Sequence, residues 1–211
     1  MYTSLMTMIL LFSGVSAMGA QVLWIRYFSL ILGNHIHSFS WVTCLFVFGM
    51  ALGAFISLRF LNDSKQRNLK NYLIVESLFA LTVSLSFYSL IHFQGAFQAF
   101  LSMESFIYDG LIVVSVLSVP ATLMGMSFPL LLYFDSGRTR SAKLYAANTI
   151  GGAMGVALFG YVFLVSFGYL NLTFLVPCLS SINLFLALLL LKTMRSAEIR
   201  VEGERAWADS A

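Results

Sequence analysis

Six long apolar runs with short polar gaps between them make up almost all of this chain. They cover residues 4–32, 38–61, 72–93, 107–134, 144–167 and 170–191. A helix needs about 20 apolar residues to cross the hydrocarbon layer of a bilayer, and each run reaches that length. The apolar residues are continuous rather than alternating, which argues against the strands of a membrane barrel. Backbone groups in lipid must pair within their own segment, so the runs predict helices. The pattern therefore predicts an all-α, polytopic membrane bundle of six transmembrane helices over residues 1–192. A short charged tail, 193–211, follows as a frayed helix end or a disordered extension.

Composition agrees. Of 211 residues, 59% are hydrophobic and 10% charged, whereas a soluble domain carries about 25% charged residues. The net charge of +3 does not point to nucleic acid, because the basic residues flank apolar spans, where they suit anionic lipid headgroups.

Their placement also orients the chain. Arg59, Lys65, Arg67 and Lys70 mark the second gap, and Arg138, Arg140 and Lys143 the fourth. Lys192, Arg195, Arg200 and Arg205 lie in the tail. The alternate gaps, 33–37, 94–106 and 168–169, hold no Lys or Arg. The positive-inside rule then places both termini in the cytoplasm. Arg26 alone departs from the pattern, late in the first span, where a long side chain can snorkel to the outer interface. Ala17, Met18 and Gly19 resemble a leader cleavage site. No basic region precedes them and the apolar run continues to Leu32, so an uncleaved first span is expected.

Few residues in the runs could carry chemistry. Glu76 is the one acid well inside a span, and intramembrane acids are costly and often functional. It also suits a structural role, in the first turns of a helix near the basic gap, where an anion complements the helix dipole. Asp109 and Glu104 fall at the outer start of the fourth span and suit a helix N-terminus. Asp109 is in addition a candidate partner for Arg26 or for an entering cation. Arg26 could instead bind an anionic headgroup. His35, His37 and His92 sit on the outer side without clustered co-ligands, which favours solvated roles over a metal. Cys44 and Cys178 read as buried free thiols acting as small hydrophobes. No nucleophile–base pair, phosphate loop or metal spacing is present, so no catalytic residue, cofactor or metal is expected.

Small residues recur at helical spacing: Gly49 and Gly53 on the second span, Ala147, Gly151 and Gly155 on the fifth. Such faces let helices approach closely, within one chain or at a dimer or partner surface. Pro120 and Pro129 are expected to kink the fourth span. Asn148 and Asn183 are expected to hydrogen-bond between helices.

Two stretches together resemble a known family. The first comprises Ser13-Gly14, Leu23-Trp24-Ile25-Arg26, Leu30-Ile31-Leu32-Gly33 and Phe48-Gly49-Met50-Ala51-Leu52-Gly53. The second comprises Pro120-Ala121-Thr122-Leu123-Met124-Gly125, Phe128-Pro129-Leu130, Leu144-Tyr145-Ala146-Ala147-Asn148-Thr149-Ile150-Gly151, Gly155 and Phe167-Gly168. Over residues 13–170 these resemble the membrane domain of bacterial spermidine-synthase-like membrane proteins, the fused transporter–spermidine synthase family. The resemblance implies a bundle like half of a major-facilitator-type transporter, in a bacterial inner membrane. Many relatives carry glutamate where this chain has Gln21, and the twenty residues after Leu191 are too few for the family's soluble aminopropyltransferase domain.

Three functions follow as expectations. One is a non-catalytic membrane module that anchors or assists a partner protein or a larger complex. The second is a small dimeric transporter for polyamines or related cations, with Glu76 and Asp109 as cation sites. The third, remote, is an aminopropyltransferase. The bilayer is the expected environment, with a protein partner or homo-oligomer formed through the small-residue faces. A three-plus-three internal repeat would accompany a transporter fold. None is evident in the sequence.

Overall fold

Gly33 ends the first helix. It adopts a positive φ of 66°, the left-handed conformation that glycine takes without a Cβ clash, and the chain turns back directly into the second span. The computed structural model describes the chain apart from residues 1, 34, 62–63, 94, 98–105, 134–137 and 209–211. Side chains are further described except at 2–3, 35, 106, 138–140, 169–170 and 197–208. The side chains of Glu104, His35, Arg138, Arg140, Arg200 and Arg205 lie outside this set.

The described residues form helices α1 (Tyr2–Ile31), α2 (His35–Ser57), α3 (Lys65–His92), α4 (Phe106–Leu132) and α5 (Arg138–Ala157). A π-helical segment, Leu158–Phe163, leads into α6 (Leu164–Leu172), and α7 (Leu175–Ala208) closes the order. Six spans are long and apolar enough to cross a membrane, the fifth being α5 through the start of α6. The protein is an all-helical, multi-pass membrane bundle.

Three boundaries move relative to the sequence pattern. Helix α3 begins at Lys65 rather than near Tyr72, with extended Ser64 at its N-cap position. Lys65, Arg67 and Lys70 are thus in its first turns and not in a loop. The turn at Gly168 falls where the pattern placed it (φ 71°, ψ 162°), but α7 starts only at Leu175, after a second short turn. Helix α7 then continues through the charged tail as far as Ala208.

Packing is organised by two glycine-sealed pairs. α1 lies on α5, and α2 lies on α4. A Cβ added at Gly151 would fall on the Leu11 carbonyl, one at Gly155 would stand 2.6 Å from the Val15 carbonyl oxygen, and one at Gly14 would meet the Asn148 carbonyl. In the second pair a Cβ at Gly53 would fall on the Thr122 carbonyl, one at Gly49 would stand 2.6 Å from the Ala121 methyl, and one at Gly125 would meet Met50. The small-residue faces therefore seal contacts within the chain, where close backbone approach substitutes for a hydrophobic drive that lipid does not supply. Ala147 is buried as well. Helix α4 runs unbroken through Pro120 and Pro129.

The remaining contacts join these pairs. α3 packs on α4 and α7, and α1 packs on α7 and α2. Exchange α1 with α4, α2 with the fifth span, and α3 with α7, and the pairings map onto one another. α1–α5 becomes α4–α2, α3–α4 becomes α7–α1, and α3–α7 becomes itself. Among the described residues, the α1–α2 contact and the slight α1–α3 contact lack a counterpart. Because successive spans alternate in direction, exchanged helices run oppositely, which is the relation of an inverted three-plus-three repeat. The glycine contacts follow it: Gly14 on the Asn148 carbonyl matches Gly125 on the Met50 carbonyl, and Gly151 on the Leu11 carbonyl matches Gly53 on the Thr122 carbonyl.

Two apolar clusters fill the interior. The larger centres on Trp24, Phe28, Phe46, Phe87 and Leu117, the smaller on Met6, Leu69, Tyr72, Leu130 and Leu190. Trp24 is fully buried. Its indole N–H donates to Ser86 Oγ at 3.0 Å, and its ring stacks on Phe87 at 5.7 Å. A buried indole needs such a partner. Cys44 and Cys178 are exposed on the outward faces of α2 and α7. The expectation of buried thiols is corrected: they lie inside apolar runs, but on faces that neighbouring helices do not cover.

Candidate functional site

Two features lie on opposite sides of α1 and α4. The first is a buried polar group around Glu76. This residue follows the first residue of α3, Lys65, by eleven positions, about 16 Å along the axis at 1.5 Å per residue. It is 2% exposed. The helix-end reading of Glu76 is therefore overturned. A dipole effect fades within the first turn, and Glu76 is three turns in.

Four elements meet there. Tyr72, one turn before Glu76 on α3, turns its hydroxyl to the same carboxyl, at a geometry that leaves this buried oxygen without a hydrogen bond. Ser127 of α4 also faces the carboxyl, while its hydroxyl donates to the Leu123 carbonyl at 3.3 Å. Asn183 of α7 is fully buried and completes the ring.

The Asn183 amide has two seatings. In one, Nδ2 donates to Glu76 Oε1 at 3.3 Å. In the other, Nδ2 donates to the Ile9 carbonyl at 3.2 Å and Oδ1 accepts from the Ser13 N–H at 3.0 Å, both on α1. The expectation of an interhelical Asn183 is met in either seating. One turn further along α1, the hydroxyls of Ser16 and Ser180 lie 3.2 Å apart. A polar seam thus binds α1, α3, α4 and α7 inside an otherwise apolar bundle.

The second feature is a side-open cleft of about 570 Å³. It lies between the two glycine-sealed pairs, with Ser13 and Ala17 from α1, Met50 from α2, Met124 and Phe128 from α4, and Asn148 and Gly152 from α5. α3 and α7 contribute none of its lining. The exchange that relates the pairs maps the cleft onto itself. Its walls are mostly apolar, as ligand clefts and helix-docking grooves are. Ser13 is shared: its side of α1 lines the cleft, and its backbone N–H meets Asn183 in the second seating.

The other sequence candidates stand apart. Arg26 is exposed on α1. Asp109 is half-buried in the first turn of α4, which suits the dipole role. No ion pair joins them, so the expected Arg26–Asp109 pairing does not form: α1 meets α4 only slightly. His92 is exposed with its ring 4.3 Å from that of Tyr88. Sequence reasoning named Glu76 and Asn183 separately but not their meeting. Nor did it single out Tyr72 or Ser127, which read as ordinary residues of apolar runs.

No family model matches the chain, and the curated proteins and the solved structures likewise give no match.

Proposed function

We propose that this chain is a non-catalytic membrane module that works joined to a second membrane-embedded unit, seated in the cleft between its glycine-sealed pairs. The observation that carries this reading is the cleft itself. It opens sideways at about 570 Å³, on the line of exchange between two related halves, where a six-span half of a transporter would meet its other half. The least buried spans, α2 and the fifth, flank that opening. Their outward faces carry Val47, Phe48 and Phe55, and Ile150, Met154 and Val156. The motif resemblance to the membrane domain of spermidine-synthase-like proteins supports the same assignment, with the module anchoring or assisting a partner in a bacterial inner membrane. The basic gaps set its orientation, both termini in the cytoplasm.

A second reading takes the second unit to be another copy, giving twelve spans and a carrier for polyamines or related cations. The three-plus-three relation among the helices favours it.

The test is purification of the tagged chain from its own host in mild detergent, with native mass and identification of what co-purifies. A stoichiometric second protein supports the module, and a homodimer supports the carrier. A chain running alone at 23.4 kDa overturns both.

A further inference from the structure

We propose that the pocket formed by Glu76, Asn183, Tyr72 and Ser127 binds one monovalent cation, a proton or an alkali ion. The inference does not depend on the cleft being an interface.

Its basis is a confrontation of oxygens. The seating of Asn183 that satisfies both ends of its amide donates Nδ2 to the Ile9 carbonyl and accepts the Ser13 N–H on Oδ1. Exchanging the amide atoms leaves Oδ1 where Nδ2 stood, 3.3 Å from Glu76 Oε1. Two oxygens at that distance repel unless positive charge lies between them. A proton on the carboxyl does this as a hydrogen bond, and an alkali ion does it by bridging. The alternative seating removes the conflict, but leaves the amide oxygen facing the Ile9 carbonyl, another acceptor, and nitrogen facing the Ser13 N–H, another donor. The confrontation is thus moved rather than resolved.

The Tyr72 hydroxyl is a second sign. It is wholly buried and turned to the carboxyl, at a geometry that falls short of a good hydrogen bond. A buried hydroxyl without a hydrogen bond is costly, and a cation beside Glu76 gives its oxygen something to coordinate. With Ser127 Oγ, the pocket presents carboxylate, amide and hydroxyl oxygens, the hard donor set that alkali ions take.

Charge selects the valence. No Lys, Arg or His among the described residues is turned to Glu76. The groups that face it are Tyr72 from α3 itself, Ser127 from α4, Asn183 from α7, and the α1 backbone through Asn183. One unit of positive charge leaves the pocket neutral. A divalent ion would leave an uncompensated charge in an apolar bundle, which is strongly disfavoured.

The test is labelling of the full chain, in its membranes, with a hydrophobic carbodiimide that reacts with protonated carboxyls in lipid. The modified residue is read by peptide mass. The inference predicts modification at Glu76 and none at that position in Glu76→Gln. If the cation is a proton, the rate falls with rising pH, by about tenfold per unit above the midpoint, and ignores sodium. If it is an alkali ion, rising sodium at fixed pH and ionic strength (choline as replacement) protects Glu76. Asn183→Leu, which keeps the carboxyl and removes the facing oxygen, then shifts whichever dependence is found. A Glu76 that is unlabelled under all conditions, or labelled indifferently to pH and sodium, overturns the inference.

Discussion

Glu76 and Asn183, 107 positions apart in sequence, meet at 3.3 Å in the interior of the bundle. The contact ties α3 to α7, the two helices that exchange with each other in the repeat. An Ala at 76 would remove the acid and leave Asn183, Tyr72 and a cavity behind. Glu76→Ala should therefore lower stability by about 2–4 kcal/mol, from the cavity and the lost polar contacts together. Glu76→Gln, which keeps the shape and a hydrogen-bonding end, should cost about 1 kcal/mol or less. Denaturation of the two variants in the same detergent micelle checks the order. Equal losses would mean that the carboxyl fills space and nothing more.

The glycine seams should divide sharply by position. A Cβ at Gly53 or Gly151 would land on a backbone carbonyl of the facing helix, Thr122 or Leu11, whereas nothing lies within 4 Å of a Cβ at Gly160. Gly53→Val and Gly151→Val should each cost about 3 kcal/mol or more, as overpacking against rigid backbone does, and show as lost folded yield. Gly160→Ala should stay within about 0.5 kcal/mol of the parent. Thermal aggregation assays on the three purified variants separate these outcomes.

Trp24 offers a measurable bond between α1 and α3. Polar contacts inside membrane bundles average about 0.6 kcal/mol in double-mutant cycles. The cycle Trp24→Phe, Ser86→Ala should give a coupling of that order, in the range of about 0.5–1.5 kcal/mol. A coupling of zero would show that the 3.0 Å contact contributes no net stability.

The basic gaps make orientation testable with single thiols. In a Cys44→Ala, Cys178→Ala background, Ser64→Cys precedes α3 beside Lys65 and Arg67, and Gly95→Cys lies in the gap free of Lys and Arg. Both positions are exposed. An impermeant maleimide should label Ser64→Cys only from the cytoplasmic side and Gly95→Cys only from the other. The reverse pattern would invert the topology.

The six spans were legible because lipid imposes a length and a composition on every crossing segment, and residues 4–191 obey both. The seam glycines were legible as faces, since Gly49/Gly53 and Gly151/Gly155 carry their spacing in plain view. Their partners were not: which helix receives Gly53 depends on the path of α4, and Thr122 bears no mark of it. The three-plus-three relation was hidden for the same reason, being a relation among contacts and not among residue types. Glu76 stood out as a lone acid, yet the start of α3 was read seven residues late, at Tyr72 instead of Lys65. That shift placed a deep residue near a helix end. Arg26 and Asp109 shared a predicted level, but level does not fix azimuth, and they face different surroundings.

The most direct test of the central claim is a proximity measurement in the cleft. Ala153 lines it and is exposed, so a photo-cross-linking side chain there should capture a second membrane-embedded polypeptide in native membranes. The same group at Tyr88, exposed on α3, a helix that lines no part of the cleft, should capture none. Capture at Ala153 of a discrete partner or a second copy, absent from Tyr88, is the predicted result. Labelling of lipid alone at both positions would contradict the account.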